Sequence, residues 1–265
     1  MAKVDKDIKI DDLLETFPGK SITINATLQE FGKEELNQLQ VVFRAWTKMN
    51  KEIAKLDSRK ANFHEVVSEG ALAYFMHCPR IIKFNKKEYG KTEQELKKKL
   101  AKKMYNADKI SDKFLKEKIG TCKEDEASKK IKELKVFVGQ STPSVSFDNY
   151  DEISCKTIQV KASIGVTEDG KHIHKDLTSF GPNSKFQRLL FLDFYDGGKI
   201  SGKFDVWDIK LDKLYKVKIN KNTTFAQSQK SGKRPRFSII EELIEKGNGT
   251  KIDDFNLKTT KQLNI

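Results

Sequence analysis

Cysteine and histidine are scarce in this 265-residue chain, and neither falls into a pattern. Cys78, Cys122 and Cys155 are odd in number and far apart, which excludes a disulfide framework and the paired spacing of a zinc site. His64, His77, His172 and His174 add no metal-ligand spacing to them. Long apolar runs are missing too. Nothing approaches the roughly 18 residues that a spanning helix needs. The opening MAKVDKDIKIDDLLETF mixes charges and has no apolar export core. These absences point to a reduced, cytoplasmic chain with no membrane partner. The sequence also lacks internal repeats, and it lacks the aromatic stacking motif on which RNA-binding modules rely.

What is present in excess is positive charge. Lysine and arginine number 51 against 38 acids, a formal net charge of +13. Such an excess repels itself in a folded chain and suits a polyanionic partner, with DNA, RNA and anionic membranes as the candidates. Lysine-rich composition also follows from an AT-rich genome, so charge alone does not choose among them.

The pattern along the chain changes character once. From Glu34 to Leu56, Leu36, Leu39, Val42, Phe43, Trp46, Met49 and Ile53 recur at spacings of three and four, the apolar face of a long helix. A second helix is expected over about 62–77, ending before Pro79. Thr92 and Glu95 form a capping-box pattern before LKKKLAKKM, and a further helix is expected over about 124–132. From Val136 onward, VFVGQ, PSVSFDNYD, KTIQVKASIG, KFDVWDIKL and LYKVKI read as short strands. RLLFLDFYDGG reads as a strand buried on both faces, ending in a Gly-Gly turn. Residues 237–246 read as a closing helix. The expectation is an α/β (α+β) layered domain: a central mixed β-sheet flanked by helices, with a mainly helical N-terminal part at 1–135 and a core at 136–265.

Within SFDNYDEISCKTIQVKAS, Asp148 lies at one expected strand, and Gln159 and Lys161 lie one residue apart on the next. Alternate residues of a strand share a face, so a hairpin brings Asp148 beside both. An anionic oxygen ligand, an amide oxygen and an ammonium at one point are what metal-assisted phosphodiester hydrolysis requires. Asp148 would anchor Mg2+, Gln159 would complete or orient its shell, and the Val160 carbonyl is a further ligand. Lys161 would hold the attacking water.

A second unusual segment is TFAQSQKSGKRPRFSI. From Lys213 to Arg236 the chain has eight basic residues and no acid. Gln227, Gln229, Lys230, Lys233, Arg234 and Arg236 supply the side chains that read adenine and guanine edges or neutralise phosphate. Residues 213–236 are therefore the expected DNA-reading segment.

IQVKAS, DLTSFGPNSKFQRLLFLDFYDGG, GKFDVWDI and TFAQSQKSGKRPRFSI, in that order, resemble type II restriction endonucleases of the PD-(D/E)xK nuclease superfamily. The resemblance covers about 146–240. It implies a mixed sheet flanked by helices, Mg2+ as cofactor, double-stranded DNA as substrate and a homodimer that reads a short palindrome. Asp148, Gln159 and Lys161 fall on the motif's aspartate, acid and lysine positions. Two departures stand out: Phe147 occupies the proline position, and Gln159 replaces the acid. The lost charge calls for another carboxylate, from among Glu65, Glu69, Asp151 and Glu152. Glu69 suits the role best, because the small residues of SEGALA permit close packing.

Overall fold

A computed structural model of the chain describes residues 3–11, 21–56, 65–85, 92, 95, 147–164, 178–181, 186–194 and 201–258. The first elements are strands. In β1 (Lys3–Asp11) Ile8 and Ile10 are buried, and in β2 (Ser21–Gln29) Ile22, Ile24, Ala26 and Leu28 are buried, each with polar residues between. The two strands pair antiparallel along their whole length. This hairpin falls within the part expected to be mainly helical, so the described N-terminal residues carry strands beside their helices. The reason is local. Half-buried strands show period two, and in β1 the outward lysines and aspartates mask it.

The long helix is present as α1 (Lys33–Ala54). Its buried stripe is Leu36, Leu39, Phe43, Trp46 and Asn50, while Val42 and Met49 lie one step off it and are exposed. α2 (Glu65–Phe75) is buried from Val67 through Tyr74. At Gly70 an added Cβ would lie 2.7 Å from the Phe31 ring and 2.9 Å from Leu39. A residue without a side chain is what lets α1 approach α2 this closely. His77 turns the chain with φ 52°, and β3 (Arg80–Phe84) follows Pro79.

β4 (Asn149–Asp151) and β5 (Lys156–Ser163) form the expected hairpin. Next come β6 (Thr178–Ser179), β7 (Arg188–Asp193) and β8 (Lys203–Ile209). α3 (Leu211–Leu214), β9 (Lys218–Asn220), β10 (Thr223–Thr224), α4 (Phe225–Lys230) and β11 (Arg236–Phe237) carry the basic segment. Where a closing helix is expected, a π-helical turn spans only Ile240–Ile244. The chain then enters β12 (Gly249–Asn256), a strand absent from the sequence reading. Its alternation is weak because both its faces are mostly polar or half-exposed.

The main sheet has eight strands in the order β1-β2-β3-β4-β5-β7-β8-β12. β5 and β7 run parallel, and the other pairs are antiparallel, so the sheet is mixed as expected. β7 is buried on both faces. Leu190 and Leu192 join a cluster with Ile158, Val160, Phe43, Val67 and Ala71 under the helices α1 and α2. Leu189 and Phe191 join a second cluster with Phe180, Phe186, Phe225 and Phe237 on the opposite side.

Met1–Phe84 and Ser144–Ile265 make one compact unit, and Asn85–Pro143 makes another. Apart from Thr92 and Glu95, which are helical, the helices expected within 92–135 lie outside the described residues. So do VFVGQ, His172, His174 and Pro182–Lys185. No described helix is long and apolar enough to cross a membrane.

Candidate active site

Backbone pairing fixes Asp148. Its N–H donates to the Ile158 carbonyl at 2.8 Å, and its carbonyl accepts from Ile81 N–H at 2.8 Å. The residue is thus pinned between β5 and β3, just ahead of β4. From there its carboxylate reaches across to β5. Oδ2 accepts from Val160 N–H at 2.7 Å and from the Gln159 amide Nε2. The same Gln159 nitrogen lies 3.4 Å from the Val160 carbonyl. N–H and C=O of one residue share a side of a strand. The Val160 carbonyl therefore faces the same gap, beyond the end of β4, as the Asp148 carboxylate. Three sequence-expected groups, Asp148, Gln159 and Val160, converge here. Gln159 is only 4% exposed.

Lys161 is half-buried, and its ammonium lies 5.4 Å from the Phe180 ring centroid. Burial lowers its pKa, while the carboxylates of Asp148, Glu65 and Glu69 act in the opposite sense. Glu69, on α2, is buried, and burial raises its pKa against the opposing charge of Arg80. Arg80 grips one oxygen of Glu69 through Nε at 2.8 Å and Nη2 at 2.6 Å, and its Nη1 donates to Gln29 at 3.2 Å. Asn149 completes the frame: its side-chain amide donates to the carbonyls of Glu69 at 3.0 Å and Cys78 at 2.7 Å. It thereby ties α2 to the strand that Asp148 opens. Arg80 and Asn149 escaped the sequence reading. The only hint was a polar residue beside Asp148 and an arginine just after Pro79, and neither specifies a partner.

These surroundings push the Asp148 carboxyl up to about 7. Burial is the main cause, and the negative field of Glu69 is next. Val160 N–H and Lys161 oppose them. A carboxyl held this high beside a second carboxylate is an arrangement that a cation would relieve. The oxygen donors on offer are hard: the Asp148 carboxylate, the Gln159 amide and the Val160 carbonyl, with the Glu69 carboxylate near enough to shape their field. That set fits Mg2+ chemistry. It is lean in charge, and among the described residues no group of three His, Cys, Asp or Glu is placed to hold a metal ion.

Of the other acids considered, Asp151 and Glu152 are engaged elsewhere. Asp151 accepts from Ile153 N–H, Ser154 N–H and the Ser154 hydroxyl in the β4–β5 turn, and pairs with Arg188 at 3.2 Å. Burial acts to raise its pKa, but these bonds and Arg188 hold it below the usual range. Glu152 pairs with Lys6 at 2.5 Å on the surface. Glu65 is exposed and acts on Asp148 through its field.

The basic segment divides into frame and surface. Thr224 caps α4 by accepting from Gln227 N–H, and the Gln227 side chain accepts from Thr224 N–H in return. Gln229 is buried and donates to the Gly181 carbonyl at 3.0 Å. Lys233, Arg234 and Arg236 are exposed. The Lys230 side chain lies outside the described residues.

The family model described as Bsp6I restriction endonuclease matches residues 31–112 and 81–246. A curated relative, the type II restriction enzyme Bsp6I of Bacillus sp. (strain RFL6), is 30% identical over 93 residues. That match covers 34% of this chain and 52% of the relative, so the chain spans about half the length of the curated relative it matches. No solved structure matches significantly. The matched stretches run from the start of α1 through the site to the π-helical turn, and on that extent the chain belongs to the Bsp6I restriction endonuclease family.

Proposed function

We propose that the chain is a magnesium-dependent type II endonuclease that hydrolyses both strands of DNA at a short specific site, with a centre of the PD-(D/E)xK kind. The observation that carries this reading is the meeting of the Asp148 carboxylate, the Gln159 amide and the Val160 carbonyl in one gap, with Lys161 on the same strand. Bound there, Mg2+ would polarise the scissile phosphate and acidify a water. Asp148 and the Val160 carbonyl would hold the ion. The Gln159 side chain would turn its oxygen inward. Lys161 orients the attacking water and offsets the charge that develops on phosphorus. Lys233, Arg234 and Arg236 meet the duplex, and Gln227 and Gln229 hold the segment that presents them. A homodimer would set one such centre on each strand.

Digestion of a mixed-sequence plasmid with Mg2+, followed by sequencing of the fragment ends, tests the reading. Double-strand ends at one short sequence, lost with a chelator and in Lys161→Ala, are the expected result. Structure-dependent nicks would indicate a repair or mobile-element nuclease instead. Duplex binding without any cleavage would indicate a DNA-binding protein on a decayed site, a reading that the missing acid at Gln159 favours. Arg234→Ala and Arg236→Ala should each reduce discrimination among sequences by roughly 1–3 kcal/mol. A uniform loss of affinity for every sequence would show that they touch phosphate only.

A further inference from the structure

Phe180 sits where the candidate catalytic lysine meets the basic segment. It is 1% exposed. The Lys161 ammonium stands 5.4 Å from its ring centroid, within reach of the negative face of an aromatic. The Phe237 ring stacks on it at 5.6 Å with an interplanar angle of 12°, and Phe225 meets it edge-on at 5.0 Å. The backbone repeats the connection. Thr178 pairs with Phe237 and Ser179 with Arg236. Phe180 N–H donates to the Pro235 carbonyl at 3.1 Å, and the Gln229 amide reaches the Gly181 carbonyl at 3.0 Å. The short segment 178–181 is therefore stitched to 229–237 by strand pairing, hydrogen bonds and ring packing. Its one large side chain also carries Lys161.

This joins two features that the proposed endonuclease reading leaves separate. Exposed Arg236 alternates with buried Phe237 on β11, so a load on Arg236 is a load on the strand that holds Phe237. Close-packed interiors pass displacement on instead of absorbing it. Cation–π attraction fades as an ammonium leaves the ring face, so a shift of Phe180 shifts the favoured position of Lys161. We propose that Phe180 is a positioning residue that couples engagement of DNA by the basic segment to the placement of Lys161. On this proposal, which rests on the endonuclease reading, a correct site is cut faster as well as bound tighter.

The test is a set of single-turnover cleavage rates and metal-free duplex affinities, measured on a duplex carrying the site mapped from the wild-type digest. The variants are Phe180→Leu, Phe180→Tyr, Arg236→Ala and the double variant Phe180→Leu/Arg236→Ala. Leucine keeps most of the volume and removes the aromatic face. The cleavage rate of Phe180→Leu should fall roughly tenfold with affinity little changed. Phe180→Tyr, which keeps the face, should retain the wild-type rate even if its Tm falls as far. Arg236→Ala should slow cleavage at saturating enzyme in the wild-type background and have no such effect when Phe180 is already leucine. Rates that follow Tm across both Phe180 variants overturn the proposal, as do additive effects in the double variant. If Phe180→Leu does not fold, exposed Arg236→Ala still decides: a change in affinity with an unchanged saturated rate overturns the coupling. A wild-type chain that cuts no DNA overturns this proposal together with the endonuclease reading, whereas a cleaving wild type with additive variants overturns this proposal alone.

Discussion

Glu69 and Asp148 are carboxylates in one enclosed region, yet their surroundings differ. Glu69 already has a cation: the Arg80 guanidinium holds it with contacts of 2.8 and 2.6 Å. Asp148 accepts from an amide side chain and a backbone N–H, both neutral, and its carboxyl stands near 7. Breaking a buried charge pair leaves the remaining charge uncompensated. The Glu69 side is therefore built for stability. The Asp148 carboxyl has the field of Lys161 on its side but no guanidinium clasp, and on the endonuclease reading a metal would balance it. One carboxylate thus has a permanent counter-ion, and on the endonuclease reading the other would take an exchangeable one.

The comparison can be broken from either side. The largest effect is expected for Asp148→Asn. Cleavage should fall by roughly a thousandfold, while the metal-free Tm at pH 8 rises. A Tm unchanged or lowered at pH 8 would mean that Asp148 carries no electrostatic burden. Next is Arg80→Met, which strands Glu69 and should cost about 3 kcal/mol in urea unfolding. A cost below about 1 kcal/mol would show that Glu69 needs no partner.

The pH dependence of the metal-free chain sharpens the contrast. Asp148 is protonated in the folded state up to about 7, whereas an unfolded aspartate loses its proton near the ordinary carboxylate range. The folded chain thus binds the extra proton, and stability falls as pH rises from about 4 through about 7. Glu69 is shifted in the same direction and adds to the slope. Thermal melts should show a Tm several degrees lower at pH 8 than at pH 5, a gap that Mg2+ narrows and Asp148→Asn reduces. A Tm that climbs over that range would contradict the assignment. The smallest effect is expected for Gln159→Glu, which restores the missing charge. Mg2+ affinity, followed by calorimetry, should tighten roughly tenfold. No change would place the ion away from Gln159.

Much of the part from Val136 onward was legible in the sequence. The run RLLFLD announced a strand buried on both faces, and β7 feeds both hydrophobic clusters. Asp148, Gln159 and Lys161 were legible as neighbours because strand periodicity and a short hairpin leave little freedom. The small residues of SEGALA signalled close packing, and at Gly70 the close neighbours are Phe31 and Leu39 of the α1 region. What escaped was whatever depends on distant partners. β1 and β12 present mostly polar residues, and their pairing with β2 and β8 is settled by the sheet, not by their own pattern. Arg80 and Asn149 are ordinary polar residues until α2 and β4 come together. Gln229 read as a base contact because its burial against Gly181 is a tertiary fact.

The link between α2 and β4 has a kinetic consequence. The Asn149 amide joins carbonyls 80 and 71 positions earlier in the chain, and Tyr150 reaches Lys9 across 141 positions. Closing such loops costs conformational entropy before any contact repays it, and contacts of this span slow folding. The strand that Asp148 opens is therefore expected to dock late, after the β7–β8 and β1–β2 pairs have formed. The middle of the sheet, where β4 joins β3 to β5, and with it the placement of the Asp148 carboxylate, would then be completed late.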